Sequence, residues 1–130
     1  MEFITTRHDA ARAQLGSDVV LADGWGVVAG VLPIDLDNDR AALPEQVEAQ
    51  TRKVLANLER ILAAAGLAKG AVAAVTVQLV DLPRLFERMN AGYTGFFAAG
   101  RLPARTCVGV TALPRGALVQ MDFVLRAERR

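Results

Sequence analysis

Val72-Ala73-Ala74-Val75-Thr76-Val77-Gln78-Leu79-Val80 runs without a break into Asp81-Leu82-Pro83-Arg84-Leu85-Phe86-Glu87-Arg88-Met89. The first part is rich in β-branched residues, and Val75, Val77 and Leu79 alternate with Thr76 and Gln78, the period of a strand with one face on a core. The second part changes period. Leu82, Leu85, Phe86, Met89, Tyr93 and Phe96 fall three or four residues apart, which predicts a one-sided helix capped by Asp81 and ending before Gly100, despite Gly92 and Gly95. A strand handed directly to an amphipathic helix places the chain in a mixed α and β class.

The flanks extend this reading. Upstream, Val47, Thr51, Val54, Leu58, Ile61 and Ala65 keep alternating helical spacings, with Leu55 and Leu62 widening the stripe, which predicts a helix from Pro44 to Ala65. Pro44 suits its first turn and Gly66 a left-handed cap. Its polar face carries Glu48, Arg52 and Glu59. Further upstream, two apolar runs within Val19 to Leu32 flank Asp23-Gly24, a dipeptide suited to a tight hairpin turn. Downstream, Thr106 to Leu113 and Ala117 to Arg126 read as strands, and Pro114-Arg115-Gly116 between them predicts a second hairpin. The order is strand, strand, helix, strand, helix, strand, strand, with Glu2 to Thr6 as a candidate edge strand. Two one-sided helices cover only one face of such a sheet. The other face stays partly apolar, so the pattern predicts oligomerisation.

Composition bounds the function classes. The chain has 130 residues, a formal charge of +1, 52% hydrophobic residues and one cysteine. That fits a single domain over residues 1–130, with enough apolar surface to fold as a globule. The basic residues are scattered apart from Arg126, Arg129 and Arg130, which argues against nucleic acid or an anionic membrane as a partner. No uninterrupted apolar run is longer than Ala71 to Val75, far short of the roughly 20 residues that cross a bilayer. The opening Met-Glu-Phe-Ile lacks the order of a secretory signal, so a cytoplasmic home is the expectation. His8 is the lone histidine, so neither a Ser/His/Asp triad nor a histidine metal site assembles from one chain. Gly24-Trp25-Gly26 lacks the rest of a dinucleotide fingerprint, and no cofactor is signalled.

Leu102-Pro103-Ala104-Arg105-Thr106-Cys107-Val108 places an arginine where a loop enters a strand, with Cys107 on the same face. Such an arginine forks onto a ligand carboxylate or pairs with a neighbouring Asp or Glu, and the second is commoner. Cys107 reads as a small buried hydrophobe more readily than as a nucleophile, since no base is apparent. Gln120 and Asp122 share a face of the last strand, as solvated residues also would.

Three stretches together resemble the RidA/YjgF family. Gln50-Thr-Arg-Lys-Val-Leu-Ala-Asn57-Leu with Ile61 to Leu67 is similar to that family's first helix. Asn90-Ala-Gly-Tyr93-Thr-Gly-Phe96-Phe97, then Pro103-Ala-Arg105-Thr-Cys107-Val and Leu113-Pro-Arg-Gly-Ala, is similar to its second helix and C-terminal signature. The similarity runs roughly from Val19 to Arg126. It implies an α+β, chorismate-mutase-like fold, a mixed sheet of about six strands with two helices on one face, and a homotrimer with pockets between subunits. It also implies hydrolysis of enamine or imine intermediates to 2-keto compounds and ammonia, with Arg105 binding the substrate carboxylate and Cys107, Asn90 and Gly30 lining the pocket. Some members are described as ribonucleases or translation inhibitors, a reading that the near-neutral charge does little to support.

Three departures from the family pattern bear on the chemistry. Gln120 stands where deaminating members carry glutamate, so the catalytic pair that the resemblance implies is Arg105 and Gln120 rather than Arg and Glu. Leu15-Gly16-Ser17-Asp18 has no tyrosine, and Ala29-Gly30-Val31 replaces a Ser-Gly-Gln. A glutamine holds a water but takes no proton, and losing a general base typically removes about 10² to 10⁴ of rate. Asp122, about 6 to 7 Å along the strand, is the candidate substitute. Two classes stay open: an imine or enamine deaminase, and a relative that binds a small carboxylate or catalyses another step.

Overall fold

The computed structural model describes residues 1–6, 15–38 and 40–127. His8, Arg129 and Arg130 lie outside them. Six strands form one mixed sheet: β1 (Glu2–Ile4), β2 (Val19–Ala22), β3 (Trp25–Val31), β4 (Val72–Val80), β5 (Ala104–Val110) and β6 (Val119–Arg126). Helix α1 (Val47–Ala64) joins β3 to β4, and α2 (Leu82–Tyr93) joins β4 to β5. The order across the sheet is β1-β2-β3-β6-β4-β5, with β4 and β5 parallel and every other neighbouring pair antiparallel.

The β2–β3 hairpin forms at the expected place. Asp23 and Gly24 both take positive φ, 53° and 79°, as a two-residue turn between right-twisted strands requires. Glu2–Ile4 does add an edge strand, on β2. Sheet parity also follows the pattern: Val75, Val77 and Leu79 are buried with Val119, Met121, Phe123 and Leu125, and pack against Val54, Leu58, Ile61, Leu85 and Met89 of the helices. The helices meet closely. A Cβ on Gly92 would sit 2.6 Å from the Glu48 carbonyl oxygen, so α2 approaches α1 through a residue that has none. Nearby, Arg88 bridges to Glu48 at 2.9 Å and holds that carboxyl below its ordinary pKa through the hydrogen bond.

Four local expectations are corrected. The second hairpin does not form: β5 pairs only with β4, while β6 inserts between β3 and β4. The inner face of β6 is almost fully buried and suits a central strand, whereas β5 leaves Thr106, Val108 and Gly109 exposed and suits an edge. Pro114–Gly116 is a single 3₁₀ turn between them, with Arg115 at φ 63°. Helix α1 starts at Val47 rather than near Pro44, because Gln46 is extended and the Pro44 carbonyl accepts the Gln50 side-chain N–H at 2.8 Å. Asp81 precedes α2 without capping it; its carboxylate accepts from Arg84 at 2.6 Å instead. That helix also stops at Tyr93, where Thr94 turns extended and Gly95 takes φ 90°, so Phe96 lies beyond it.

Buried Asn57 ties α1 to the segment after β3. Its Nδ2 donates to the Leu32 carbonyl at 2.9 Å and to the Ile34 carbonyl at 2.8 Å, backbone groups that no strand partner reaches. The face of the sheet away from the helices carries exposed Trp25, Val27, Val108 and Val124.

Candidate functional site

Register assigns each candidate side chain to a face. Val77 is opposite Cys107 on β5 and Met121 on β6, so Arg105 and Cys107 lie on the helix face of the sheet. Gln78 is opposite Gln120, and Thr76 opposite Asp122, so these polar residues lie on the other face.

On the helix face, α2 builds a cradle for Arg105. Phe86, Asn90 and Tyr93 follow one another at i, i+4 and i+7, one stripe of the helix. The Arg105 guanidinium carbon lies 4.7 Å from the Tyr93 ring centroid and 5.9 Å from that of Phe86, and Nη2 donates to Asn90 Oδ1 at 2.5 Å. Arginine stacks on aromatic faces and keeps its fork in doing so. Among the described residues no carboxylate pairs with it, so the ion-pair alternative has no partner there. Most of its five N–H donors therefore remain for a ligand. Asn90 bonds directly to Arg105; Cys107 lies two residues further along β5, half-buried against the core. Burial pushes the Cys107 thiol and the Tyr93 phenol above their ordinary pKa values, and the Arg105 charge opposes both shifts. A thiol so held is a poor nucleophile near neutral pH.

On the opposite face lies a hydrogen-bonded row. Gly30 N–H donates to Asp122 Oδ1 at 2.7 Å, Gln78 Nε2 donates to Asp122 Oδ2 at 3.0 Å, and Gln120 Nε2 donates to Gln78 Oε1. Gly30 takes φ 67° where the β3–β6 register slips between Val28 and Val31, and this turns its N–H toward Asp122. Beside it, Leu15, Gly16, Ser17, Asp18, Ala29 and Gly30 line a shallow cavity of about 290 Å³. The segments that depart from the family pattern therefore collect on one side of the sheet. Asp122 is engaged at both oxygens.

In a single chain, then, Arg105, Cys107 and Asn90 stand on one face and Gln120 and Gly30 on the other. The sequence reading did not find the Phe86 and Tyr93 faces of the cradle, although the i, i+4, i+7 stripe carried the signal. It also missed Gln78, whose part depends on strand register. Among the described residues no cluster of His, Cys, Asp and Glu could hold a metal, and no helix is long and apolar enough to cross a membrane.

Known proteins share this chain's sequence pattern and fold. A family model described as Endoribonuclease L-PSP matches residues 6–126. The chain is 35% identical over 122 residues to 2-iminobutanoate/2-iminopropanoate deaminase of Salmonella typhimurium, covering 92% of this chain and 94% of that protein. Its fold superposes on the YjgF gene product from E. coli with a TM-score of 0.86 at 28% identity, covering 98% of this chain and 100% of the other. It also superposes on E. coli TdcF with bound serine, with a TM-score of 0.78 at 27% identity and 86% and 87% coverage. The chain belongs to the RidA/YjgF family, the family of that Endoribonuclease L-PSP model.

Proposed function

We propose that this protein hydrolyses 2-imino acids, or the enamines that tautomerise to them, to 2-keto acids and ammonia. The observation that carries the reading is Arg105, a cation over the faces of Tyr93 and Phe86 with no carboxylate partner among the described residues. The deaminase relative acts on imino acids by its name, and TdcF holds serine, also a carboxylate. In the reaction, water oxygen bonds to the imine carbon as one water proton goes to nitrogen, giving a carbinolamine; its carbon–nitrogen bond then breaks as the remaining hydroxyl proton passes to nitrogen, and the 2-keto acid and ammonia leave. An imine carbon is already electrophilic, so the site has mainly to orient the carboxylate and hold a water about 3 Å from that carbon.

One chain cannot bring both halves to one substrate. Arg105 and Gln120 lie on opposite faces and two strand spacings apart, about 10 Å across the sheet. We therefore place the complete site between subunits of a homotrimer, with Arg105, Asn90 and Cys107 from one copy and Gln120 and Gly30 from the next. The uncovered apolar residues Trp25, Val27, Val108 and Val124 favour such an assembly.

A second reading has its own support. Gln120 carries an amide where a proton acceptor is expected, which favours a protein that binds a small carboxylate without hydrolysis. A coupled assay separates the two: an amino-acid oxidase generates 2-imino acid, and its lifetime is followed with and without this protein. A shortened lifetime supports the deaminase. An unchanged lifetime, with a 2-keto acid still bound at Arg105, supports the binder.

A further inference from the structure

Gln78, Gln120 and Asp122 leave no freedom in which way their amides point. A carboxylate only accepts, and a backbone N–H only donates. Asp122 takes the Gly30 N–H at one oxygen, and at the other it requires the nitrogen end of Gln78. Gln78 must then present its oxygen to Gln120, so Gln120 turns its own nitrogen inward. What Gln120 offers outward is its carbonyl oxygen, which has no hydrogen bond among the described residues. That is the same polarity a glutamate would offer.

We propose that Asp122 is a positioning residue which, through Gln78, fixes Gln120 with Oε1 outward as the acceptor for an O–H of the attacking water. The proposal rests on the hydrolytic reading above. Without the carboxylate, a glutamine side chain could present either end, and the nitrogen end would turn away the water hydrogen that must point from the imine carbon. Asp122 thus directs the water without touching it.

Asp122→Asn tests this with almost no change of shape. The Gly30 N–H still needs oxygen, so the new amide would turn its nitrogen toward Gln78, both glutamines would invert, and Gln120 would present N–H outward. Turnover of oxidase-generated 2-imino acid is expected to fall about tenfold to a hundredfold, while KM, set by Arg105, changes less than about twofold. Adding Gln120→Glu to Asp122→Asn is expected to restore turnover, because the inverted Gln78 now donates to the new carboxylate. Alone, Gln120→Glu sets two carboxylates against one amide and is expected to gain little. Equal factors for Gln120→Glu in both backgrounds would mean that Asp122 does not act through Gln120, and would overturn the proposal. Gln78→Leu, which cuts the row but keeps the Asp122 charge, is expected to lower turnover like Asp122→Asn; full activity there would also overturn it. Side-chain amide NMR of ¹⁵N-glutamine-labelled protein reads the row independently of catalysis. The Gln120 amide protons are expected to exchange slowly in the wild type and rapidly in Asp122→Asn. An unchanged Gln120 signal overturns the row itself, whereas an inactive wild type with the expected signals overturns the hydrolytic reading and the water-holding role together.

Discussion

Replacing Arg105 by lysine keeps the charge and removes the fork. In the structure the guanidinium carbon lies 4.7 Å from the Tyr93 ring centroid, with one N–H on Asn90 at 2.5 Å, so the planar group is anchored before a ligand arrives. A carboxylate meeting that plane can take two parallel N–H bonds, and an ammonium on a flexible stem offers a point charge without that geometry. A hydrogen bond to a charged group contributes about 1.5 to 3 kcal/mol. Losing one of two therefore predicts affinity for a 2-keto acid about tenfold to 150-fold weaker, at about 1.4 kcal/mol per decade. Because Arg105 is only half-buried, solvent screening favours the lower end of that range. Calorimetric titration of wild type and Arg105→Lys with 2-oxobutanoate measures it directly. Asn90→Ala, which frees the guanidinium to rotate, is expected to weaken binding by a smaller factor in the same experiment. Equal affinities for wild type and Arg105→Lys would show that the fork does not bind the carboxylate, and the proposed function would lose its foundation.

Cys107→Ser is expected to cost less than about tenfold in turnover, against the order of 10⁶ that deleting a covalent nucleophile costs. Alkylation by iodoacetamide is expected to be slow at neutral pH and to accelerate only above the ordinary thiol range, because burial raises the Cys107 pKa. By linkage, the unfolded thiol ionises first, so its contribution to stability declines as pH rises through the unfolded value, which denaturation between about pH 8 and 10 would detect as a steady fall. Asn57→Leu orphans two buried carbonyls and is expected to lower unfolding free energy by about 2 to 4 kcal/mol in urea titration. Sedimentation velocity at micromolar concentration is expected to show a trimer; a stable monomer would remove the shared site.

Local chemistry made much of this fold legible. Asp23-Gly24 announced its turn because positive φ is a property of two residues, and the change of period at Asp81 announced the strand-to-helix handover. Pro114-Arg115-Gly116 misled for the same reason: a turn signal says that the chain bends, not which strand it will pair with. Pairing was decided by burial, through the fully apolar inner face of Val119, Met121, Phe123 and Leu125 against the exposed face of β5. At the site, Arg105 and Cys107 could be put on one face from spacing alone. Their separation from Gln120 could not, since it depends on β4 standing between β5 and β6. The Gln78–Gln120 contact likewise exists only once that register is fixed.

The position of β6 also governs how the molecule is made. Strands β1 to β3 form one antiparallel group and β4 and β5 a parallel pair, and the two groups share no ladder except through β6. The last strand in chain order is thus the keystone of the sheet. Until it docks, β3 and β4 each expose an open inner edge, and the contacts that close them span from Trp25 to Arg126. Pairings so distant in sequence slow folding, since loop entropy is lost before contacts repay it. Assembly is therefore expected to end in one late, cooperative step in which β6 zips two preformed halves together, and a chain cut short before Val119 would leave two sticky edges and no continuous sheet.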